Sequence, residues 1–321
     1  MRLYNKLLIT GCGGDIAISI ARILRMSGVA QTIYGCDIHA DHPGEAFFDA
    51  CFVVPCCSDP VYWEKISELV RRNEVEAVIV AAEPEIRHYH RRGGALAIEG
   101  AAVIMANSEA LEIGLDKLKT AEMLKECGLP FPWTVNAEAG EPLDFPCILK
   151  AREGSGSKAV YVVQRDTVDF YRAKRAAHIW QELLQPPEQE YTCGLYGTRT
   201  GEVRSIIFRR KLFGGLTGSG EVVEDGAIGQ LLGIVARRLH LRGSVNVQLR
   251  KTTRGPVIFE INPRFSSTVM FRHRLGFTDL LWSLQEARGQ FPLAQSTPAV
   301  GVKFYRVGTE VIVQAKDVKQ Y

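Results

Sequence analysis

Val245-Asn246-Val247-Gln248-Leu249-Arg250 and, a short turn later, Val257-Ile258-Phe259-Glu260-Ile261-Asn262-Pro263-Arg264 read as two strands. Side chains alternate faces along a strand. Val245, Val247, Leu249, Val257, Phe259 and Ile261 are apolar, whereas Asn246, Gln248, Arg250, Glu260 and Asn262 are polar, with Ile258 the exception. One face therefore packs on a core while the other gathers a carboxylate with amide oxygens. Gln248 joins Glu260 and Asn262 if the pairing register keeps parity. Hard oxygen donors clustered this way suit magnesium, which takes a few protein oxygens and completes its octahedron with water and phosphate. Arg264, just beyond, is placed to offset charge on a transferred phosphoryl group. Taken alone, the stretch fits an ordinary amphipathic hairpin with a solvated polar face equally well.

Upstream, the first hundred residues alternate strand and helix. Lys6 to Thr10 is an apolar strand, followed by Gly11-Cys12-Gly13-Gly14 and a helix from Asp15 to Met26 with Ile16, Ile20, Ile23 and Leu24 along one face. Further strands are expected at Thr32–Cys36, Cys51–Val54, Ala77–Ala81 and Ala102–Met105, with helices at Val61–Arg72 and Glu85–Ile98. This alternation predicts a parallel, doubly wound sheet. A helix from Leu115 to Cys127 is stopped by Gly128 and by Pro130 and Pro132. From Pro146 the pattern changes to paired strands: Cys147–Ala151 with Lys158–Val163, Glu190–Tyr196 with Val203–Leu212, then a helix at Ala227–His240 before the opening hairpin. The fold class is thus α/β followed by α+β.

The 321 residues, 46% apolar and 23% charged, suffice for a substantial core divided into subdomains. A formal charge of +3 gives no argument for nucleic acid. Apolar stretches such as Ala77 to Ala82 are far too short to cross a bilayer, and the chain begins with a strand rather than a signal peptide. Eight cysteines at irregular spacings, without a CxxC pair, predict reduced thiols in a cytoplasmic protein.

Several segments, in order, resemble the ATP-grasp superfamily, in particular the carbamoyl-phosphate synthetase large-subunit branch with its stand-alone ligase-like members. Glu260-Ile261-Asn262-Pro263-Arg264 after Asn246-Val247-Gln248 resembles its metal-binding signature. Asp116-Lys117 ahead of Gly128-Leu129-Pro130-Phe131-Pro132, and Pro146 to Lys150, resemble its phosphate-contacting segments. The loop Gly154-Ser155-Gly156-Ser157-Lys158 resembles its flexible glycine-rich loop. Gln181-Glu182-Leu183-Leu184 resembles the hinge strand that binds adenine, with Glu190 in the place of the acid that holds the ribose hydroxyls. The resemblance implies a Rossmann-like domain over 1–108 and an ATP-grasp domain over 109–321, with a clamping subdomain at about 134–187 and a metal-binding subdomain at about 188–321. It implies ATP on Lys117, Lys150, Gly154, Ser155, Gly156, Ser157, Glu182, Leu183, Leu184 and Glu190. Magnesium, or manganese in its place, would sit on Gln248, Glu260 and Asn262, and Arg264 and Lys211 would be the catalytic cations. The implied reaction joins a small-molecule carboxylate to an amine through an acylphosphate. A homodimer is compatible with the resemblance. Neither a glutaminase segment nor a second synthetase half is present, which argues against carbamoyl phosphate synthesis.

Gly11-x-Gly13-Gly14 after a strand, with Asp37 ending the next, also fits weakly a dinucleotide site and hence an NAD-dependent oxidoreductase. A non-catalytic ATP-binding regulator is the third class. Under the ligase expectation the same turn, with Gly13 and Gly14 at a helix N-terminus, would face a substrate carboxylate. Glu83 and Glu85, after the strand ending at Ala82, would face an amine.

Overall fold

The computed structural model describes residues 2–93, 97–154, 160–173, 176–296, 298–308, 310–311 and 319–320. Its strands form three sheets. The first contains β1 (Tyr4–Thr10), β2 (Ala30–Asp37), β3 (Ala50–Val53), β4 (Ala77–Ile79), β5 (Ala97–Ile98), β6 (Ala101–Ile104) and the terminal β17 (Lys319–Gln320), in the order β17-β3-β2-β1-β4-β6-β5. All neighbours run parallel except β5 against β6. Its central strands are apolar on both faces because helices cover both, as parallel sheets require. Leu7, Ile9, Ile33 and Ile79 pack with α1 (Asp15–Ser27), while Leu8, Phe52 and Val78 pack with α2 (Tyr62–Arg72).

The helix expected at Glu85–Ile98 is instead α3 (Glu83–Arg91), and Ile98 belongs to β5. Pro84 sits in its first turn, where no backbone N–H is needed, so the helix starts earlier. Gly93, at φ 87°, lies just beyond its end. The chain continues through α4 (Ser108–Gly114) and α5 (Lys117–Glu126).

The second sheet is antiparallel: β7 (Thr134–Asn136), β10 (His178–Glu182), β8 (Cys147–Ala151) and β9 (Val160–Val163), with α6 (Val168–Arg172) beside it. The third is also antiparallel, in the order β15-β14-β11-β12-β13-β16. It comprises β11 (Glu190–Gly197), β12 (Val203–Phe213), β13 (Leu216–Val222), β14 (Gly243–Thr252), β15 (Gly255–Asn262) and β16 (Lys303–Tyr305), with α7 (Gly226–Arg238), α8 (Val269–Arg274) and α9 (Asp279–Ala287). Val245, Val247, Leu249 and Ile261 bury themselves with Ile228, Leu231, Leu232 and Val235 of α7 in a core continuous with that of the first sheet.

Parity in the opening hairpin holds where it matters. Gln248 pairs with Glu260 and Asn246 with Asn262, so their side chains share a face. The register then shifts, because Leu249 pairs with Ile258 and leaves Phe259 as the extra residue of a bulge. The bulge accounts for the one break in the alternation: Ile258 turns into the core, and Phe259 turns toward the opposite, polar face.

Candidate functional site

A cavity of about 660 Å3 opens where the three sheets meet. On one side stand the C-terminal ends of β1 and β4, where Gly11 lies so close to Ala82 that a Cβ on it would come within 3.0 Å of the alanine's. Connections leave this pair of strands in opposite directions, the place where parallel sheets bind ligands. The opposite walls are β8, the Gln181–Leu184 segment and the polar face of β11, β12, β14 and β15.

Lys117 opens α5, whose N-cap Asp116 accepts from the backbone N–H of Leu118 at 2.9 Å and is clamped by Arg152 at 2.6–3.0 Å. Thus aimed, the Lys117 ammonium donates to Gly154 O at 2.8 Å and stands 3.6 Å from Glu260 Oε1. Lys150 on β8 is 8% exposed, and its Nζ reaches Phe259 O at 3.4 Å. The bulge is what brings that carbonyl and its ring to the lysine. Burial, with Lys117 adding repulsion, lowers the Lys150 pKa to about 8 against the opposing pull of Glu260 and Glu190. Burial alone would raise the Glu260 pKa, but Lys117, Lys150, Arg264 and Arg210 outweigh it and hold the carboxyl below its ordinary value. Glu260 is therefore an ionised, half-buried oxygen donor beside the amide oxygens of Gln248 and Asn262.

Arg264 is fixed by Glu83 Oε2 at 3.5 Å, Asn262 Oδ1 at 3.2 Å and Phe265 O at 3.1 Å, with its side chain on the cavity wall. Glu83 also holds Arg87 at 3.4 Å, so it is an anchor for Arg264 rather than an open acid. Glu85 lies outside the cavity lining: its carboxylate is buried, accepts from the Tyr62 hydroxyl at 2.6 Å and has its pKa pushed up to about 7 by burial. Gly13 is likewise turned away, its N–H donating to Asp37 Oδ2 at 3.0 Å, whereas Gly14 does line the cavity. That contact commits Asp37 to the turn, where a dinucleotide site would need it for a ribose. Glu182, Leu183 and Leu184 form part of the wall, with the Glu182 carboxylate paired to Arg254 at 2.5 Å. Gly154 lines the cavity with φ 95°, while Ser155, Gly156 and Ser157 lie outside the described residues.

Two arginines join the site that sequence reasoning missed. Arg210 donates to Glu190 Oε1 at 2.8 and 3.1 Å and to Gln248 Oε1 at 2.8 Å, and Arg250 pairs with Glu190 Oε2. A carboxylate accepts about four hydrogen bonds, so Glu190 retains one place, where the expectation gave it two ribose hydroxyls. Lys211 is exposed on the outer face, which corrects its placement in the site. Period-two counting along β12 contains the signal: Arg210, which lines the cavity, is buried in step with Ile206 and Phe208 of an apolar core, while Arg209 and Lys211 are exposed. Arg306 also approaches from far along the chain, bonding Asp15 at 2.7 Å and Thr217 O at 3.1 Å beside the mouth of α1.

Residues 178–307 match a family model described as ATP-grasp in the biosynthetic pathway with Ter operon. Among solved structures, N5-carboxyaminoimidazole ribonucleotide synthetase from Thermus thermophilus is similar at TM-score 0.70 and 17% identity, over 91% of this chain and 80% of that one. This is an ATP-grasp fold. An L-amino acid ligase from Bacillus licheniformis shares it at TM-score 0.69 and 17% identity, over 89% of this chain and 75% of that one. Biotin carboxylase from Campylobacter jejuni, solved with a β,γ-ATP compound, does so at 0.71 and 16%, over 93% and 74%. No curated protein sequence matches the chain. Among the described residues, no helix of this chain is long and apolar enough to cross a membrane.

Proposed function

We propose that this ATP-grasp protein is an ATP-dependent carboxylate–amine ligase working through an acylphosphate, with 1–108 forming the acceptor side and 109–321 the nucleotide side. The observation that carries it is the buried, mixed-charge face of β14 and β15. Ionised Glu260 and two amide oxygens stand among Lys117, Lys150, Arg210 and Arg264, and the buried Lys150 ammonium, only partly offset by Glu260 and Glu190, gains from an incoming anion. The similar ligase and carboxylase structures, one of them a β,γ-ATP complex, support the same reading.

Adenine would lie against the Glu182–Leu184 backbone, with Glu190 taking one ribose hydroxyl. Lys117, Lys150 and the Gly154 loop would hold the phosphates, helped by Ser155, Gly156 and Ser157. Gln248, Glu260 and Asn262 would hold magnesium, which when bound neutralises phosphate charge. A substrate carboxylate oxygen attacks the γ-phosphorus, the bond to the β,γ-bridging oxygen breaks, and ADP leaves while Arg264 offsets the transferring charge. The amine nitrogen then adds to the acyl carbon, phosphate departs with the C–O electron pair, and the nitrogen loses a proton. The acceptor would bind between Arg264 and the α1 N-terminus at Gly14, beside Ser266 and Ser267. The working compartment is the cytoplasm, consistent with all eight cysteines being thiols. Manganese would serve in place of magnesium.

The test is a panel of carboxylic acids with ATP, magnesium and hydroxylamine as a trapping amine. The proposal expects an acyl hydroxamate with one ADP and one phosphate per turnover. AMP and pyrophosphate as products, or nicotinamide turnover in their place, would overturn it.

A further inference from the structure

Away from the nucleotide cavity, residues distant in the chain meet behind the first glycine turn. Cys12 lies in the turn after β1, Cys51 on β3, and His42 in the loop between β2 and β3. Cys12 Sγ is 3.9 Å from Cys51 Sγ and 3.4 Å from His42 Nε2, and all three ligand atoms lie within 4.8 Å of one another. We propose that Cys12, His42 and Cys51 bind one zinc-class divalent cation.

The spacing is what a tetrahedral ion demands. Zn–S bonds of about 2.3 Å and Zn–N bonds of about 2.05 Å at tetrahedral angles put S···S at ~3.8 Å and S···N at ~3.6 Å. Cys12 stands at both separations, 3.9 Å from Cys51 Sγ and 3.4 Å from His42 Nε2, and the third pair lies within 4.8 Å. A disulfide would need the sulfurs to close to about 2.05 Å, and so requires movement that the cation does not. The surrounding backbone approaches the cluster closely. A Cβ on Gly35 would come within 2.6 Å of Cys12 Cβ, and one on Gly44 within 2.3 Å of Cys12 O and 2.9 Å of His42 Nδ1. Gly13 would likewise strike His42 Cβ at 2.9 Å, so three glycines permit this close packing around the cluster.

The donor set, two thiols and an imidazole, selects borderline-soft ions over magnesium. It is chemically distinct from the all-oxygen set of Gln248, Glu260 and Asn262. Three protein ligands leave a fourth position for water or a ligand. Cys12 is fully buried, while His42 and Cys51 are half-buried and give the ion a way in. Bound there, the cation would clamp the turn whose Gly11 and Gly14 line the acceptor side of the cavity.

The test uses the full chain, reduced and stripped of metal, titrated with Zn2+ against a chromophoric chelator and separately with Co2+. The expected result is one Zn2+ per chain, cobalt–thiolate charge-transfer absorption, and a loss of affinity of ~10–100-fold or more in Cys51→Ser and in His42→Gln. Both variants replace half-buried side chains, and far-UV circular dichroism identifies the folded ones; the wild-type titration decides the matter by itself if neither folds. Absence of stoichiometric zinc in the wild type, affinity unchanged in a folded variant, or air oxidation to a Cys12–Cys51 disulfide in place of metal uptake would each overturn the site. None of these readouts depends on ATP turnover.

Discussion

Replacing Lys150 by methionine should strengthen the free protein and weaken its hold on ATP. The buried ammonium titrates at about 8 instead of 10.5, chiefly because of burial. The difference of 2.5 pKa units, at 1.36 kcal/mol each, makes the charged form cost about 3 kcal/mol at pH 7. The attraction of Glu260 is already contained in that value, so a neutral side chain of similar length recovers the cost, raising Tm by about 4–5 °C. In the proposed nucleotide complex the ammonium would instead make a charge-assisted bond, worth about 1.5–3 kcal/mol, so the variant should bind ATP roughly 10–150-fold more weakly. The sign with pH follows from proton counts. The unfolded chain keeps its lysine proton up to 10.5 while the folded one loses it near 8, so wild-type stability gains from this group as pH rises through that window. ATP, which favours the protonated amine, binds less tightly above pH 8. Lys150→Met should show neither trend. Differential scanning fluorimetry with and without ATP–magnesium, together with calorimetric affinities from pH 7 to 9.5, measures both. A variant that is less stable without ligand, or that keeps full ATP affinity, would refute the reasoning.

Glu260→Gln keeps the shape and removes the charge, so magnesium should no longer improve nucleotide affinity, as read by titrations with and without the ion. Arg210→Lys gives up the paired bonds to Glu190 and Gln248 and should weaken nucleotide binding, whereas Lys211→Ala, on the outer face, should leave binding unchanged and stability within about 0.5 kcal/mol. Glu85 has its pKa raised from 4.5 to about 7, so the folded state holds the extra proton and stability falls by about 3 kcal/mol as pH rises through that window. Urea unfolding of Glu85→Gln across pH 4–8 should lack that portion of the decline.

Much of the site was legible because its parts are local. Gln248, Glu260 and Asn262 share a face through a period-two pattern on adjacent strands, and Lys117 follows an N-cap visible as Asp116. What escaped depends on two or more elements at once. The bulge at Phe259 brings a ring and a carbonyl to Lys150 from 109 residues away, and alternation alone records it only as the misfit of Ile258. Glu190 reads as an open acid because its guanidinium partners come from β12 and β14. Glu83 and Glu85, two residues apart, take opposite fates: the helix start turns one toward Arg264 and the other toward Tyr62.

The same limit explains the cysteines. Irregular spacing in the chain gave them no motif, yet parallel pairing of β1, β2 and β3 stacks their ends side by side and brings Cys12 to Cys51 across 39 residues. A spacing rule can detect ligands that share one turn or one helix face; it is blind to ligands assembled by sheet order. The cavity obeys the same geometry. Its cations come from α5, β8, β12 and the segment after β15, and only their convergence on Glu260 keeps that carboxyl ionised. The sign of a charge removal therefore depends on which charge is removed: neutralising Lys150 should raise stability and lower affinity, whereas neutralising Glu260, whose charge the surrounding cations favour, should lower both.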